Sequence, residues 1–70
     1  MNARDRRKII RGQYFTVMFS DGSFSATKAR FGPGVLRFYT GDNFHYVGYV
    51  RLNTIQKISS TGSCVRITVS

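Results

Sequence analysis

The chain has 70 residues, of which 41% are hydrophobic, and its eleven Lys and Arg against three Asp give a net charge of +8. A chain of this length forms one domain with a small core, in which a deep catalytic cleft is difficult to build. No apolar run reaches the roughly 18 residues of a membrane-spanning helix, and the charged N-terminus lacks the apolar stretch of a secretory signal. We therefore expect no membrane partner and a cytoplasmic or nucleoid-associated location.

The excess of positive charge favours a polyanionic partner. Nucleic acid is the leading candidate because basic side chains that bind phosphates release condensed counterions. Anionic lipid, an acidic protein and charge that serves only solubility remain as alternatives.

Side chains suited to catalysis are few. Cys64 is the only cysteine, which excludes an internal disulfide and a multi-cysteine zinc site, and we expect it to be packed near the last strand. His45 is the only histidine, and two of the three carboxylates, Asp21 and Asp42, fall in predicted turns. Acid–base pairs and metal sites need several such groups together, so we expect a non-enzymatic protein without cofactor or metal.

Residues 1–12 are predicted to form a basic arm or short helix ahead of a β domain at residues 13–70. Asn2 is a suitable N-cap, Gly12 a stop, and Ile9 and Ile10 are candidates for docking the helix. Two interpretations stay open, a phosphate-binding arm and a docked helix without a ligand role.

The next residues predict two strands. In residues 14–19 Phe15, Val17 and Phe19 alternate with outward positions, and an Asp-Gly hairpin turn follows at residues 20–23. The second strand, residues 24–30, changes parity. Either a bulge near Thr27 turns Ala29 and Phe31 inward, or the strand runs past the core.

After a break at residues 31–34, residues 35–51 predict a central hairpin with its turn at Gly41–Asn43. Parity assigns one set of its side chains to the core, namely Leu36, Phe38, Phe44, Tyr46 and Val50. The opposite set, Arg37, Tyr39, His45, Tyr49 and Arg51, is predicted to face outward, together with Val47. A slip of one residue in the second strand would exchange the two sets.

The remainder predicts a single helical turn at residues 52–54, a strand at 55–58, a flexible turn at 59–63 and a last strand at 64–69. In the last strand Val65, Ile67 and Val69 are expected inside, with Arg66 and Thr68 outside.

Five or six short strands at this spacing predict a small all-β antiparallel domain, and a partly open barrel suits so short a chain. The order of elements resembles that of SH3-like and Sm-like barrels. Positions 46–58 also resemble the end of a WYL domain, a nucleic-acid-associated Sm-like fold, although the Trp-Tyr-Leu triplet is absent.

Aromatic rings interleaved with arginines on one sheet face predict a platform that stacks unpaired bases and contacts phosphates. The predicted nucleic-acid-binding residues are Arg4, Arg6, Arg7, Lys8, Arg11, Lys28, Arg30, Arg37, Tyr39, His45, Tyr49 and Arg51. Single-stranded DNA or RNA is favoured over duplex, because no recognition helix is evident.

The alternative function is a protein-binding module, such as an inhibitor, adaptor or assembly factor, that docks on an acidic partner. Exposed edge strands are compatible with a homo-oligomer in either case. The length and charge would suit an accessory protein of a phage, plasmid or mobile element.

Overall fold

The computed structural model describes all 70 residues, with one α-helix and seven strands that make the chain a mostly β domain. The elements are α1 (Ala3–Arg11), β1 (Tyr14–Phe19), β2 (Gly22–Ala26), β3 (Lys28–Gly32), β4 (Val35–Thr40), β5 (His45–Arg51), a 3-10 turn (Leu52–Thr54), β6 (Ile55–Thr61) and β7 (Cys64–Val69). The predicted single helical turn before the last strands is confirmed. The structure contains no helix of the length and apolar character that crossing a bilayer requires.

The strands form two sheets and do not close into one barrel. Sheet 1 has the order β2-β1-β7-β6 and sheet 2 the order β3-β4-β5. β1 and β7 run parallel, with Phe15 opposite Val65 and Val17 opposite Ile67, which corrects the expectation of a wholly antiparallel domain. A parallel neighbour needs a long connection, which here is the whole chain between the two strands.

The chain changes sheets at Thr27. The predicted second strand is therefore two strands, β2 and β3, which raises the count to seven. The Thr27 N–H donates to the Tyr39 carbonyl at 2.9 Å, and its Oγ1 accepts from the Gly41 N–H at 3.2 Å. Ala29 and Phe31 then lie half-buried against the core, so the interpretation in which the faces switch near Thr27 is confirmed.

The core lies between the sheets and contains no buried polar side chain. Phe38 is at its centre, with ring centroids 6.0 Å from Phe15 and 5.4 Å from Phe24, both edge to face. The buried side chains are Ile9, Phe15, Val17, Ala26, Leu36, Phe38, Val50, Ile58, Val65, Ile67 and Val69. The alternation predicted for β1 and β7 is confirmed, except that Phe19 packs only at the margin.

Helix α1 is docked on the domain. The Asn2 Oδ1 accepts a hydrogen bond from the Asp5 N–H at 2.8 Å, as expected of an N-cap, and the helix ends at Gly12. Ile9 is buried whereas Ile10 is exposed, so only the first of the two docks. The Lys8 Nζ donates to the Ile58 carbonyl at 3.2 Å, which covers part of the β6 edge.

Two turns and one cysteine differ from the sequence prediction. The first hairpin turns at Ser20 and Asp21, one residue before the predicted Asp-Gly pair. Gly22 is therefore the first residue of β2 and has no positive φ. Residues 59–61 extend β6, so that the last turn is limited to Gly62, at φ +61°, and Ser63. Cys64 lies on the outer side of β7 and is exposed, since its parity is opposite to that of Val65.

Gly12 lies where α1 meets the core and has no room for a side chain. A Cβ there would be 2.6 Å from the Val65 Cγ2 and 2.9 Å from the Phe15 ring. Gly12→Ala should lower the free energy of unfolding by about 1–3 kcal/mol, as overpacking does. Gly22→Ala is the control, because nothing lies within 4 Å of its Cβ position, and it should stay within about 0.5 kcal/mol of the parent. Urea denaturation measures both, and equal losses would contradict the close approach.

Candidate nucleic-acid interface

The outer face of sheet 2 combines cations and aromatic rings in rows that cross its three strands. Lys28 pairs with Tyr39, and Tyr39 with Tyr46; in the next row Arg30 pairs with Arg37, and Arg37 with Tyr49. Residues paired across strands point to the same side of a sheet. We call this surface the aromatic-basic face, and its members are Lys28, Arg30, Arg37, Tyr39, Phe44, Tyr46, Tyr49 and Arg51.

A bulge in β5 determines which rings reach this face. The register shifts between Phe38, which pairs with Gly48, and Tyr39, which pairs with Tyr46. Val47 is left without a partner. The bulge therefore reverses the direction of the side chains that precede Val47, compared with uninterrupted alternation.

The bulge overturns four face assignments made from the sequence. Phe44 and Tyr46, predicted inside, are 44% and 50% exposed. His45, predicted on the outer face, pairs with Thr40 and lies on the other side of β5 from Tyr46. Val47, predicted outside, packs partly against the core. The prediction from parity failed here because it assumes that each residue of β5 pairs with one residue of β4, and a bulge adds one unpaired residue.

Phe44 has an uncommon backbone conformation. Its φ of 55° is the only positive value at a non-glycine residue, and bulky side chains rarely adopt it. The ring centroid lies 6.4 Å from that of Tyr39, 4.8 Å from the Lys28 Nζ and 5.0 Å from the Arg30 Cζ. Tyr39 also contacts Tyr46, with centroids 5.7 Å apart. Three rings and two cations therefore form one cluster.

Beside this cluster is a shallow depression of about 370 Å³. Its lining residues are Val35, Arg37, Tyr46, Tyr49 and Arg51. Tyr46 and Tyr49 expose half their surface, 50% and 52%. The ion pair between Lys8 and Asp5, at 3.6 Å, is the only one in the protein, so the cations of the aromatic-basic face have no carboxylate partner.

The structure divides the predicted site residues into two groups and leaves His45 outside both. Six of them lie together on sheet 2: Lys28, Arg30, Arg37, Tyr39, Tyr49 and Arg51. The five others, Arg4, Arg6, Arg7, Lys8 and Arg11, lie on α1. Within α1, the Arg6 Cζ lies 4.1 Å above the centre of the Phe31 ring, which ties the helix to sheet 2.

Phe44 and Tyr46 are members of the face that sequence reasoning missed. The available signal was Gly48, since a glycine inside a strand often accompanies a bulge or a close approach. Gly48 here accompanies a bulge, because it adjoins the bulged Val47.

Anion binding and ring stacking are the chemistry that these side chains offer. No group of three or more His, Cys, Asp or Glu side chains converges in the protein. The aromatic-basic face itself contains hydrogen-bond donors and rings and no carboxylate. Lys and Arg donors suit phosphate oxygens, and exposed rings suit flat heterocycles.

Protein-family models, curated proteins and solved structures were each compared with the chain, and none of them matches. The function is therefore argued from the site alone.

The backbone strain at Phe44 predicts an unusual response to substitution. A left-handed conformation costs an ordinary residue about 1–2 kcal/mol, and Asn tolerates it. We expect Phe44→Asn to leave the free energy of unfolding unchanged or to raise it by up to about 1 kcal/mol. As a control, Phe24→Asn should lose at least about 2 kcal/mol because its ring packs against Phe38 at the centre of the core. Urea denaturation measures both, and a large loss for Phe44→Asn would show that its ring supports the fold.

Proposed function

We propose that the protein is a non-enzymatic binder of single-stranded DNA or RNA and that the aromatic-basic face is its binding surface. The observation that carries the proposal is one sheet face on which four rings lie among four cations without a carboxylate partner. Rings alone occur on many sheets, and cations alone on many surfaces. Their combination in cross-strand rows suits a strand of bases and phosphates.

Stacking gives the aromatic rings their role. A base stacked on an aromatic side chain contributes about 1–3 kcal/mol, and every base has a flat surface that can stack. Tyr46 and Tyr49 are the most accessible rings of the face. Tyr39 contacts both Phe44 and Tyr46, and these contacts hold the cluster in place.

Single strands suit this face better than duplex. Bases in a duplex are already stacked and present only their edges, whereas unpaired bases can lie on exposed rings. Duplex readers usually insert a helix into the major groove. Here the only helix, α1, is held against the core by Ile9, and the exposed rings of the face lie on sheet 2 and not on a helix.

We also propose that the fold is a relative of SH3-like and Sm-like architectures. The features that support this are the bent β2–β3 pair, the central hairpin of β4 and β5, and the 3-10 turn before the last strands. The parallel pairing of β1 with β7 and the two separate sheets distinguish it from a closed barrel.

Salt dependence tests the electrostatic part of the proposal. If about three to five phosphates are bound, the logarithm of the affinity for an oligothymidylate should fall with the logarithm of salt concentration with a slope of about −2 to −3.5. Arg37→Gln with Arg51→Gln should make this slope shallower by about 1.4. Lys57→Gln with Arg66→Gln removes the same charge from sheet 1 and is the control. Fluorescence anisotropy measures both, and salt-insensitive binding would refute the mechanism.

Substitution of the exposed rings tests the stacking part. Tyr46→Ala and Tyr49→Ala should each weaken binding to single strands by about 1 kcal/mol or more, without changing the salt slope. Tyr14→Ala is the matched control, because Tyr14 is 58% exposed but lies on sheet 1. Unchanged affinity in both face variants would mean that the protein binds single strands through their phosphates alone, without stacking of bases.

Capture from a cell lysate after nuclease treatment, together with the oligonucleotide titration, separates nucleic acid from an acidic protein partner. Tyr and Arg are also enriched at protein interfaces, so both partners would use the aromatic-basic face. Capture of one stoichiometric protein after nuclease treatment, with no oligonucleotide binding at low salt, would favour the acidic partner.

A further inference from the structure

We propose that the open groove between α1 and the turn joining β6 to β7 is a second binding site, which holds the phosphates of a nucleic-acid backbone without contacting its bases. The groove has a volume of about 260 Å³ and is lined by Arg4, Arg7, Lys8, Arg11, Ser60 and Gly62. The choice of nucleic acid as ligand rests on the proposed function, whereas the anion site itself is argued from the groove.

The three lining arginines form a stripe along one side of α1. With 3.6 residues per turn, Arg4, Arg7 and Arg11 project within about 60° of one another, and the stripe is about 10 Å long. Ile9 projects from the opposite side and is buried. The docking of Ile9 therefore fixes the direction of the stripe, and a ligand does not have to order the helix before binding.

The stripe is unfavourable for the helix on its own. Like charges three and four residues apart repel each other. Arg4 is also in the first turn, where the helix dipole disfavours a cation. The only carboxylate of α1, Asp5, is paired with Lys8. Arg4, Arg7 and Arg11 therefore lack any compensating anion, and a bound polyanion would supply it.

The lining of the groove distinguishes phosphates from other anionic partners. No hydrophobic residue lines it, whereas the centre of a protein interface usually contains apolar anchors. No aromatic ring lines it either, so bases have nothing on which to stack. Arginine forks match phosphate oxygens in pairs, and the Ser60 hydroxyl adds a neutral donor.

The two sites would act differently on one ligand. The groove belongs to the edge of sheet 1, and the aromatic-basic face to the outer side of sheet 2. A short oligonucleotide that fills the face should not depend on the groove, whereas a longer one should engage both. The groove would then add affinity and salt dependence but no base preference.

The groove is tested first without nucleic acid. Inorganic tripolyphosphate is titrated into the ¹⁵N-labelled protein, and backbone amide shifts are followed by NMR. We expect the Ser60 and Gly62 amides to move and those of Tyr46 and Tyr49 to stay in place. Arg4→Gln with Arg7→Gln should abolish these shifts, because glutamine keeps the helix propensity and removes the charge. Absence of shifts at Ser60 and Gly62, or equal shifts at every basic region, would overturn the proposal.

Oligothymidylates of about 4 and about 16 nucleotides, the range of small single-strand sites, then test the ligand. For the longer one, Arg4→Gln with Arg7→Gln should make the salt slope shallower by about 1.4, while Lys57→Gln with Arg66→Gln should not. For the shorter one, the groove variant should bind as the parent does. A longer strand that binds the groove variant with the parental slope would refute the second site and leave the proposed function intact.

The converse result is equally informative. Groove shifts with tripolyphosphate but no oligonucleotide binding at low salt would refute the proposed function and leave the anion site standing. Polyglutamate that displaces tripolyphosphate as well as an oligothymidylate of equal charge would overturn the assignment to phosphates in favour of an acidic protein.

Discussion

The corner at Thr27 is the constraint on which the rest of the structure depends. At this single residue the chain leaves sheet 1 and enters sheet 2, and its amide and hydroxyl bind the Tyr39 carbonyl and the Gly41 N–H. The corner reverses which alternate residues face the core. Ala26 is buried before it, whereas Lys28, two residues later, is exposed. Because β3 then pairs with β4, Lys28 is placed beside Tyr39 and Arg30 beside Arg37 on the outer face of sheet 2.

The core of this protein is small and apolar, so its polar and charged side chains lie at the surface. Only 11 of the 70 residues are buried, and all of them are apolar. Every charged group therefore lies outside, where a net charge of +8 repels itself and destabilises the compact state. Two separate surfaces, the aromatic-basic face and the groove beside α1, concentrate that repulsion. If the proposed polyanion binds at both, it would relieve this repulsion and should therefore stabilise the fold.

Local signals in the sequence predicted the features that depend on local physics. The Asn2 cap, the alternation in β1 and β7 and the 3-10 turn each arise from a few neighbouring residues, and the sequence predicted them correctly. The parallel pairing of β1 with β7 joins residues about 50 positions apart along the chain, and no local pattern encodes such a pairing. The separation into two sheets, between which the chain passes at Thr27 and at the 3-10 turn, was also missed. Within the site, the positions of Arg37, Tyr39, Tyr49 and Arg51 followed from parity, whereas Phe44, His45 and Tyr46 did not because of the bulge.

The bulge at Val47 and the left-handed Phe44 lie on either side of His45 and Tyr46. Both irregularities accompany rings that are exposed on the aromatic-basic face. Uninterrupted alternation would turn Phe44 and Tyr46 to the core side of the hairpin, and burial of one such ring is worth about 1.5–3 kcal/mol. The chain instead keeps both rings about half exposed and adopts a strained φ to do so. A domain with so small a core has little stability to spare. Backbone strain of this kind clusters at ligand-binding sites, so the strained Phe44 on a cationic face agrees with the proposed role of that face.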